Sequence, residues 1–135
     1  MDFNWLAENY RNNSQFQYDH AIRALKTHQF TGNEYVLDVG CGDGKITADI
    51  AARAINGKTI GIDSSKTMIE FAQSMFIGDK ERLSFDVCLA EDLDYDNYFD
   101  LITSFSALHW VKDQLSFLSR AKKALKKNGK VVLNF

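Results

Sequence analysis

Short apolar runs alternate with amphipathic helical patterns along most of the chain. The runs have β-type composition, and the segments between them repeat apolar residues every three or four positions. Strands separated by segments of this length cannot be joined as hairpins, so they require crossover connections and a parallel sheet. The pattern predicts an α/β fold, a doubly wound parallel sheet with helices on both faces. The predicted strands are Tyr35–Gly40, Thr59–Asp63, Leu83–Ala90, Phe99–Ser106 and Lys130–Phe135.

Each helical segment carries one apolar stripe, and the first of these helices precedes the first strand. Ser64 or Ser65 can cap the helix after the second strand, and Asn128-Gly129 can end the helix before the fifth. Lysines 122, 123, 126 and 127 would then form the cationic last turn of that helix, which its dipole favours. The predicted stripes are Tyr18, Ala21, Ile22 and Leu25; Ile46, Ile50 and Ala54; Met68, Ile69, Ala72, Met75 and Phe76; and Leu115, Leu118, Ala121 and Leu125.

Two of the predicted strands are expected at the edges of the sheet. Residues 83–89 alternate between apolar and polar side chains, which is typical of a half-exposed strand. Residues 131–133 are continuously apolar, yet as the fifth strand in the usual order they would also lie at an edge. An open apolar edge is a template for association. We therefore expect either a chain that has lost its last strands or an edge that pairs with a second copy, giving a homo-oligomer.

Length, charge and composition argue against several classes of protein. A chain of 135 residues supports one packed core, and a formal net charge of −2 argues against a general nucleic-acid binder. There is no targeting signal and no stretch long enough to span a membrane. Cys41 and Cys88 lie in different elements and read as reduced thiols, and the histidines form no metal-like cluster. The sequence thus predicts a cytoplasmic protein without metal, membrane or nucleic-acid partners.

The most informative segment is VLDVGCGDG at 36–44, where a buried strand enters a glycine-rich turn and a helix begins at once. Glycines permit the tight turn and let the backbone approach a ligand, and the helix N-terminus presents free N–H groups. Asp63 ends the second strand, where a carboxylate can accept bonds from both hydroxyls of a ribose. The loop and this acid together predict a site for a nucleoside cofactor.

Two features favour S-adenosylmethionine over a dinucleotide. The dinucleotide fingerprint requires a third glycine at position 45, where this chain has Lys45. Asp38 and Asp43 bracket the loop, and carboxylates beside a poorly solvated pyrophosphate would repel it by several kcal/mol. The same acids suit a ligand with an ammonium and a sulfonium group, a ribose and no phosphate.

VLDVGCGDG at 36–44, GIDSS at 61–65 and ALHWV at 107–111 resemble the class I S-adenosylmethionine-dependent methyltransferases. The chain looks most like the group that contains trans-aconitate, malonyl-carrier-protein and juvenile hormone acid methyltransferases. The resemblance implies a Rossmann-like core at residues 35–135 preceded by a helical lid segment at 1–34, together forming one domain. It also implies methyl transfer to a small organic acid at a carboxylate oxygen.

The resemblance assigns roles to individual residues. Relatives often carry an aspartate before the adenine segment, where this chain has Leu89, so a backbone N–H near Ala90 or the Asp92 carboxylate would read the adenine. The implied cofactor-binding residues are Gln17, near the cofactor carboxylate; Asp38, facing the amino end of the methionine part; Gly40 and Gly42, through their backbone; Asp63, on the ribose; Ser64 and Met68, near ribose and adenine; and Ala90, Glu91 and Asp92, at the adenine edge.

The reaction itself demands little from protein side chains. Methyl transfer from a sulfonium is an in-line displacement, which needs alignment and exclusion of water. A carboxylate acceptor is ionised at neutral pH and requires no base. Ser106, His109 and Trp110 follow the fourth strand and could meet the acceptor, with His109 orienting it or acting as a base; packing of the loop is the alternative. Tyr10 and Tyr18 could complete a lid.

Two other functions stay open at this stage. Relatives continue past the fifth strand with a further helix and an antiparallel hairpin that this chain lacks, so it could be a cofactor-binding module without turnover. The second alternative is a nicotinamide-dependent oxidoreductase of similar topology, against which Lys45 and the acidic loop argue.

Overall fold

The computed structural model describes residues 15–105, 107–108 and 111–134. Within these residues, five parallel strands form one sheet in the order β3-β2-β1-β4-β5. The predicted doubly wound sheet is therefore confirmed, with the chain order reversing between β1 and β4. The strands are β1 (Tyr35–Val39), β2 (Lys58–Asp63), β3 (Leu83–Val87), β4 (Phe99–Phe105) and β5 (Leu125–Asn134).

Helices pack beside the sheet in the described part of the chain. Residues 15–25 are helical (α1). They are followed by α2 (Lys45–Arg53), α3 (Lys66–Met75), the 3-10 turn at Ala90–Asp92, and α4 (Gln114–Ala124). No helix of the described part of the chain is long and apolar enough to cross a membrane.

Successive side chains of the central strands pack alternately into two apolar clusters. Val36 packs in one cluster with residues of α1 and α2, whereas the next residue, Leu37, packs in the other with residues of α4. Successive strand side chains point to opposite faces of a sheet, so this division places helices on both of its faces. Ala21 and Leu25 of α1 are fully buried, which fixes α1 on the sheet.

The end of α4 differs from the prediction. The helix ends at Ala124 rather than at Asn128, because Leu125 is already extended and pairs with Phe99 of β4. Lys122 and Lys123 lie in the last turn as predicted. The lysines at 126 and 127 lie instead in β5, where the register shifts before the regular pairing of the strand resumes.

The predicted buried stripe of α4 is confirmed at Ala121 but is wrong at Leu115 and Leu118. Phe117, Ala121 and Ala124 face the core, whereas Leu115 is 81% exposed and Leu118 is 49% exposed. The helix is therefore rotated relative to the predicted stripe, because the large Phe117 ring fills the space against the sheet. Met75, at the end of the α3 stripe, is likewise exposed.

Both edge assignments are confirmed, since β3 and β5 close the two ends of the sheet. The strand β3 ends at Val87 rather than at Ala90, and the alternation over residues 83–89 does not mark one buried face. Phe85 is buried, but Val87 and Leu89 are about half exposed.

Candidate cofactor site

The glycine-rich loop lies at the carboxyl end of β1, beside the ends of β2 and β4. Gly40, Gly42 and Gly44 all have positive φ, at 74°, 54° and 85°, which residues with a side chain rarely adopt. A Cβ on Gly40 would lie 2.2 Å from the Cβ of Ala107, so the loop after β4 packs directly on the glycine. The backbone N–H groups of Gly40 and Cys41 both donate to the carbonyl of Ile62 and tie the loop to β2.

Asp63, the last residue of β2, fixes the other side of this loop. Its Oδ2 accepts a 2.9 Å hydrogen bond from the backbone N–H of Gly42, and its Oδ1 accepts one of 2.9 Å from Ser65. Ser65 in turn caps α3 by accepting a bond from the N–H of Met68, which selects Ser65 from the two predicted caps. The carboxylate thus joins the glycine loop, β2 and α3 at one point.

Asp38 lies under the loop and is 2% exposed. The hydroxyl of Thr47 in α2 donates to its Oδ2 at 2.7 Å, and that of Thr103 in β4 donates to its Oδ1 at 2.8 Å. Burial raises the pKa of Asp38 to about 6, partly offset by these two hydrogen bonds and assisted by the nearby charge of Asp63. The group is therefore an ionised, buried carboxylate at neutral pH.

Two cavities open on either side of the loop and share Gly40. The first, here called the β2-side cavity, has a volume of about 320 Å³ and is bordered by the end of β2 and the segment after β3. The α1-side cavity has a volume of about 280 Å³ and lies under α1. The first is lined by Val39, Gly40, Asp63, Ser64, residues 88–91, Ala107 and Val111. The second is lined by Gln17, Tyr18, residues 40–43, Lys45, Ile46, Met68 and Phe105.

Polar contacts from α4 and its cap reach the segments that flank the β2-side cavity. Glu91 accepts a 3.3 Å bond from the backbone N–H of Asp113, the cap of α4. Gln114 donates to the carbonyl of Leu108 at 3.1 Å, and Arg120 donates to the carbonyl of Leu93 at 2.8 Å. The 3-10 turn and the segment after β4 are thus both attached to one helix.

Two free thiols border the site. Burial raises the pKa of Cys41, with further contributions from the charges of Asp38 and Asp63. Burial also raises the pKa of Cys88, followed by the charges of Asp92 and Asp86. Both thiols therefore stay protonated at neutral pH, and neither is poised as a nucleophile.

Most of the predicted site residues line one of the two cavities. Asp38 lies beneath the loop and lines neither cavity, and Asp92 is exposed at the end of the 3-10 turn. Ser106, His109, Trp110 and Tyr10 lie outside the described residues. The lining residues are Gly40, Asp63, Ser64, Ala90 and Glu91 in or beside the β2-side cavity, and Gln17, Gly40, Gly42 and Met68 in the α1-side cavity.

Residues 37–133 match the family described as "Methyltransferase domain", which is more than half of the chain. The chain belongs to this methyltransferase family. It is 29% identical over 99% of its length to malonyl-[acyl-carrier protein] O-methyltransferase 1 of Ilyobacter polytropus, covering 50% of that protein. It is 36% identical over 62% of its length to trans-aconitate 2-methyltransferase of Methylobacterium radiotolerans, covering 31% of that protein.

Solved structures show the same methyltransferase fold. Phosphoethanolamine N-methyltransferase 2 of Haemonchus contortus, in complex with S-adenosyl-L-methionine, superimposes with a TM-score of 0.73 at 30% identity. That comparison covers 85% of this chain and 27% of the other. The chain thus spans half or less of these methyltransferases. The predicted cofactor class, S-adenosylmethionine, is confirmed for the family, and a nicotinamide-dependent oxidoreductase is not supported.

The residues around the two cavities fit this cofactor chemically. Asp63 offers a carboxylate, which has about four acceptor positions and has used two on backbone N–H groups, so a ribose diol can still be bound. The α1-side cavity presents an amide at Gln17 and an ammonium at Lys45, groups that suit an amino-acid moiety. Gly40 lines both cavities, so they are neighbours on the two sides of one loop residue.

Several lining residues were missed as parts of the site. Tyr18 was considered as a lid, and Lys45 only as an argument against a dinucleotide, yet both line the α1-side cavity. A lysine at the first position of a helix is disfavoured by the helix dipole, and this signal could have marked it. Cys88 and Leu89 line the β2-side cavity directly after β3 ends at Val87; Leu89 was considered only as a departure from relatives, and no local pattern marks Cys88.

Proposed function

We propose that this chain binds S-adenosylmethionine across the glycine loop and directs its methyl group to a small molecule, at a carboxylate oxygen. The observation that carries the proposal is the pair of cavities that meet at Gly40, with an ordered carboxylate in one and an amide and an ammonium in the other. The adenosine part would occupy the β2-side cavity, and the methionine part would extend into the α1-side cavity.

Asp63 is proposed to hold the ribose hydroxyls. Two backbone hydrogen bonds keep its carboxylate in one orientation, so little conformational entropy is lost when a diol binds. Ser64 extends the same edge of the cavity. The glycine backbone allows a ligand to approach the loop without a side chain between them.

The adenine is proposed to lie against the segment at residues 88–91. Leu89 and Ala90 offer an apolar wall there, and Glu91 is engaged at its carboxylate with the start of α4. A backbone N–H of this segment is therefore a better candidate for reading the adenine edge than the Glu91 side chain. The Asp92 carboxylate is a weaker candidate for reading the adenine, because Asp92 is exposed and lines neither cavity.

Asp38 is proposed to act through its charge rather than by direct contact. Both of its oxygens already accept bonds from Thr47 and Thr103. A buried negative charge attracts a cation more strongly than a solvated one does. The ammonium and sulfonium groups of the cofactor would supply such cations above the loop.

The carboxylate acceptor is proposed on chemical grounds and on the names of two relatives, malonyl-[acyl-carrier protein] O-methyltransferase and trans-aconitate 2-methyltransferase. An ionised carboxylate attacks the methyl carbon without losing a proton, so alignment and exclusion of water are the main requirements. His109 is proposed to orient the acceptor, and the segment 1–34 is proposed as the lid that excludes water.

Labelled methyl transfer tests the acceptor class. A full-length version of the protein is incubated with methyl-labelled S-adenosylmethionine and a panel of organic acids, amines and phenols. We expect label in an acid, in a product that base hydrolyses as an ester. Label found only in base-stable amine products would contradict the carboxylate assignment. Cofactor binding without label in any product would favour a binding module without turnover.

Association through β5 is a second, separate proposal. Its outer edge carries no partner strand among the described residues, and Val131 on this strand is 41% exposed. Unpaired backbone groups beside apolar side chains favour pairing with another copy. Light scattering of a concentrated sample tests it: a dimer supports the proposal, and a strict monomer contradicts it.

A cytoplasmic location is a further proposal. The free thiols at positions 41 and 88 support a reducing compartment such as the cytoplasm.

A further inference from the structure

A cation–π contact joins α1 to the glycine loop inside the α1-side cavity. The ammonium of Lys45 lies 4.4 Å from the centre of the Tyr18 ring. Both side chains line this cavity, and Gln17 lines it beside them. Tyr18 belongs to α1, whereas Lys45 is the first residue of α2, directly after the loop. The contact therefore holds an ammonium at a fixed place over the loop.

The dipole of α2 disfavours a cation at the position of Lys45. The start of a helix carries partial positive charge, so a cation there is destabilising. Lys66 occupies the same position in α3 but lies 3.9 Å from the carboxylate of Glu70. The Lys45 ammonium forms no ion pair among the residues that the structure describes. Asp43 shares the cavity, but its Oδ1 accepts a bond from the backbone N–H of Lys45 rather than from the ammonium.

A ligand carboxylate would supply the missing negative charge. Of the groups in S-adenosylmethionine, the carboxylate of the methionine part carries such a charge, and the proposed function directs that part into the α1-side cavity. In the described lining of this cavity, Lys45 is the basic side chain. The tyrosine ring limits the positions of its flexible stem and so reduces the entropy lost on binding.

We propose that Lys45, held against Tyr18, binds the carboxylate of the cofactor's methionine part and selects ligands that carry it. This inference rests on the proposed function, because it requires the cofactor to lie across Gly40. It gives Lys45 a binding role and Tyr18 a positioning role.

A comparison of two ligands tests the inference by calorimetry. S-adenosylhomocysteine carries the carboxylate, whereas 5′-methylthioadenosine keeps the adenosine and the thioether but lacks the amino-acid part. For Lys45→Met, we expect the affinity for S-adenosylhomocysteine to fall about tenfold or more, the scale of a lost charged hydrogen bond. The affinity for 5′-methylthioadenosine should change by less than about twofold. Lys45→Arg keeps the charge and should retain most of the affinity for both ligands.

Variants of Tyr18 separate positioning from binding. Tyr18→Phe keeps the ring and should leave both affinities close to those of the wild type. Tyr18→Leu removes the cation–π contact and should weaken S-adenosylhomocysteine by a smaller factor than Lys45→Met does. Lys66→Met is the matched control, since it removes a cation from the first position of a different helix, and Lys66 lines neither cavity.

The outcomes distinguish this inference from the proposed function. An equal loss for both ligands in Lys45→Met, or no loss for either, would overturn the carboxylate assignment while leaving cofactor binding intact. Failure of the wild type to bind either ligand would overturn both. Thermal unfolding of each variant, with an unchanged midpoint, shows that a lost affinity does not come from a lost fold.

Discussion

The backbone N–H of Gly42 donates a 2.9 Å hydrogen bond to Oδ2 of Asp63. The carboxylate proposed to bind the ribose therefore also fixes the shape of the glycine loop. Asp63→Ala should weaken binding of S-adenosylhomocysteine by about 1.5–3 kcal/mol, the scale for bonds to a charged group. Calorimetry measures this loss, with Asp86→Ala, an exposed carboxylate on the neighbouring strand, as the control. Equal affinities of wild type and Asp63→Ala would remove the ribose assignment.

Gly40→Ala should damage both the loop and the site. The new Cβ would meet Ala107 at 2.2 Å, and the positive φ of 74° adds a strain of about 1–2 kcal/mol. We expect a loss of unfolding free energy of about 3 kcal/mol or more and no measurable cofactor binding. Gly78→Ala is the control, since Gly78 also has a positive φ, at 159°, but nothing lies within 4 Å of its Cβ position, so the comparison isolates the contact with Ala107. Denaturant unfolding measures the free energy of unfolding of both variants. A Gly40→Ala protein as stable as Gly78→Ala would refute the packing argument.

Asp38 should make the free protein less stable as the pH rises. Its pKa in the folded state is raised to about 6, chiefly by burial, so the folded state holds a proton that the unfolded state releases at lower pH. Unfolding free energy therefore falls as the pH rises through this window. Compared with Asp38→Asn, the wild type should lose about 2 kcal/mol between about pH 4.5 and about pH 7.5. Parallel stability curves for the two proteins over this range would show that Asp38 is not the buried acid described.

Glu34 should have the opposite pH dependence. Burial raises its pKa, but hydrogen bonds from His28, Thr31 and Gly32 outweigh burial and leave the pKa lowered. Its stabilisation is present above the unfolded pKa and is lost as the pH falls through the folded value. Glu34→Gln should therefore cost about 1–3 kcal/mol at neutral pH and less in acid. Chemical denaturation at both pH values measures the cost, and a cost that grows in acid would contradict the account.

The alternation of strand and helix patterns predicted the parallel sheet, the usual strand order of the fold predicted the edge position of β5, and the glycine-rich motif predicted the loop. These features depend on local pattern, because a buried parallel strand and an amphipathic helix each leave a signature in consecutive residues. The cap of α3 could be predicted as Ser64 or Ser65 for the same reason, since a capping side chain acts on a backbone N–H three residues later, and the structure selects Ser65.

Features set by distant contacts could not be predicted in this way. The end of α4 is decided by the pairing of Leu125 with Phe99, a residue on another strand. The surroundings of Asp38 depend on hydroxyls from Thr47 and Thr103, which the fold brings together from different elements. The contact of Lys45 with Tyr18 likewise joins two helices. In each case the residue can be identified in the sequence, but its contact partner is distant along the chain and becomes known only from the folded structure.

A calorimetric titration with S-adenosylhomocysteine, matched by one with NAD under the same conditions, tests whether the cavities around Gly40 bind the methyltransferase cofactor. We expect one binding site for S-adenosylhomocysteine and no measurable heat from NAD. Asp63→Ala should lose most of this binding, whereas Asp86→Ala should keep it. Binding of NAD together with no binding of S-adenosylhomocysteine would contradict the assignment of the two cavities around Gly40.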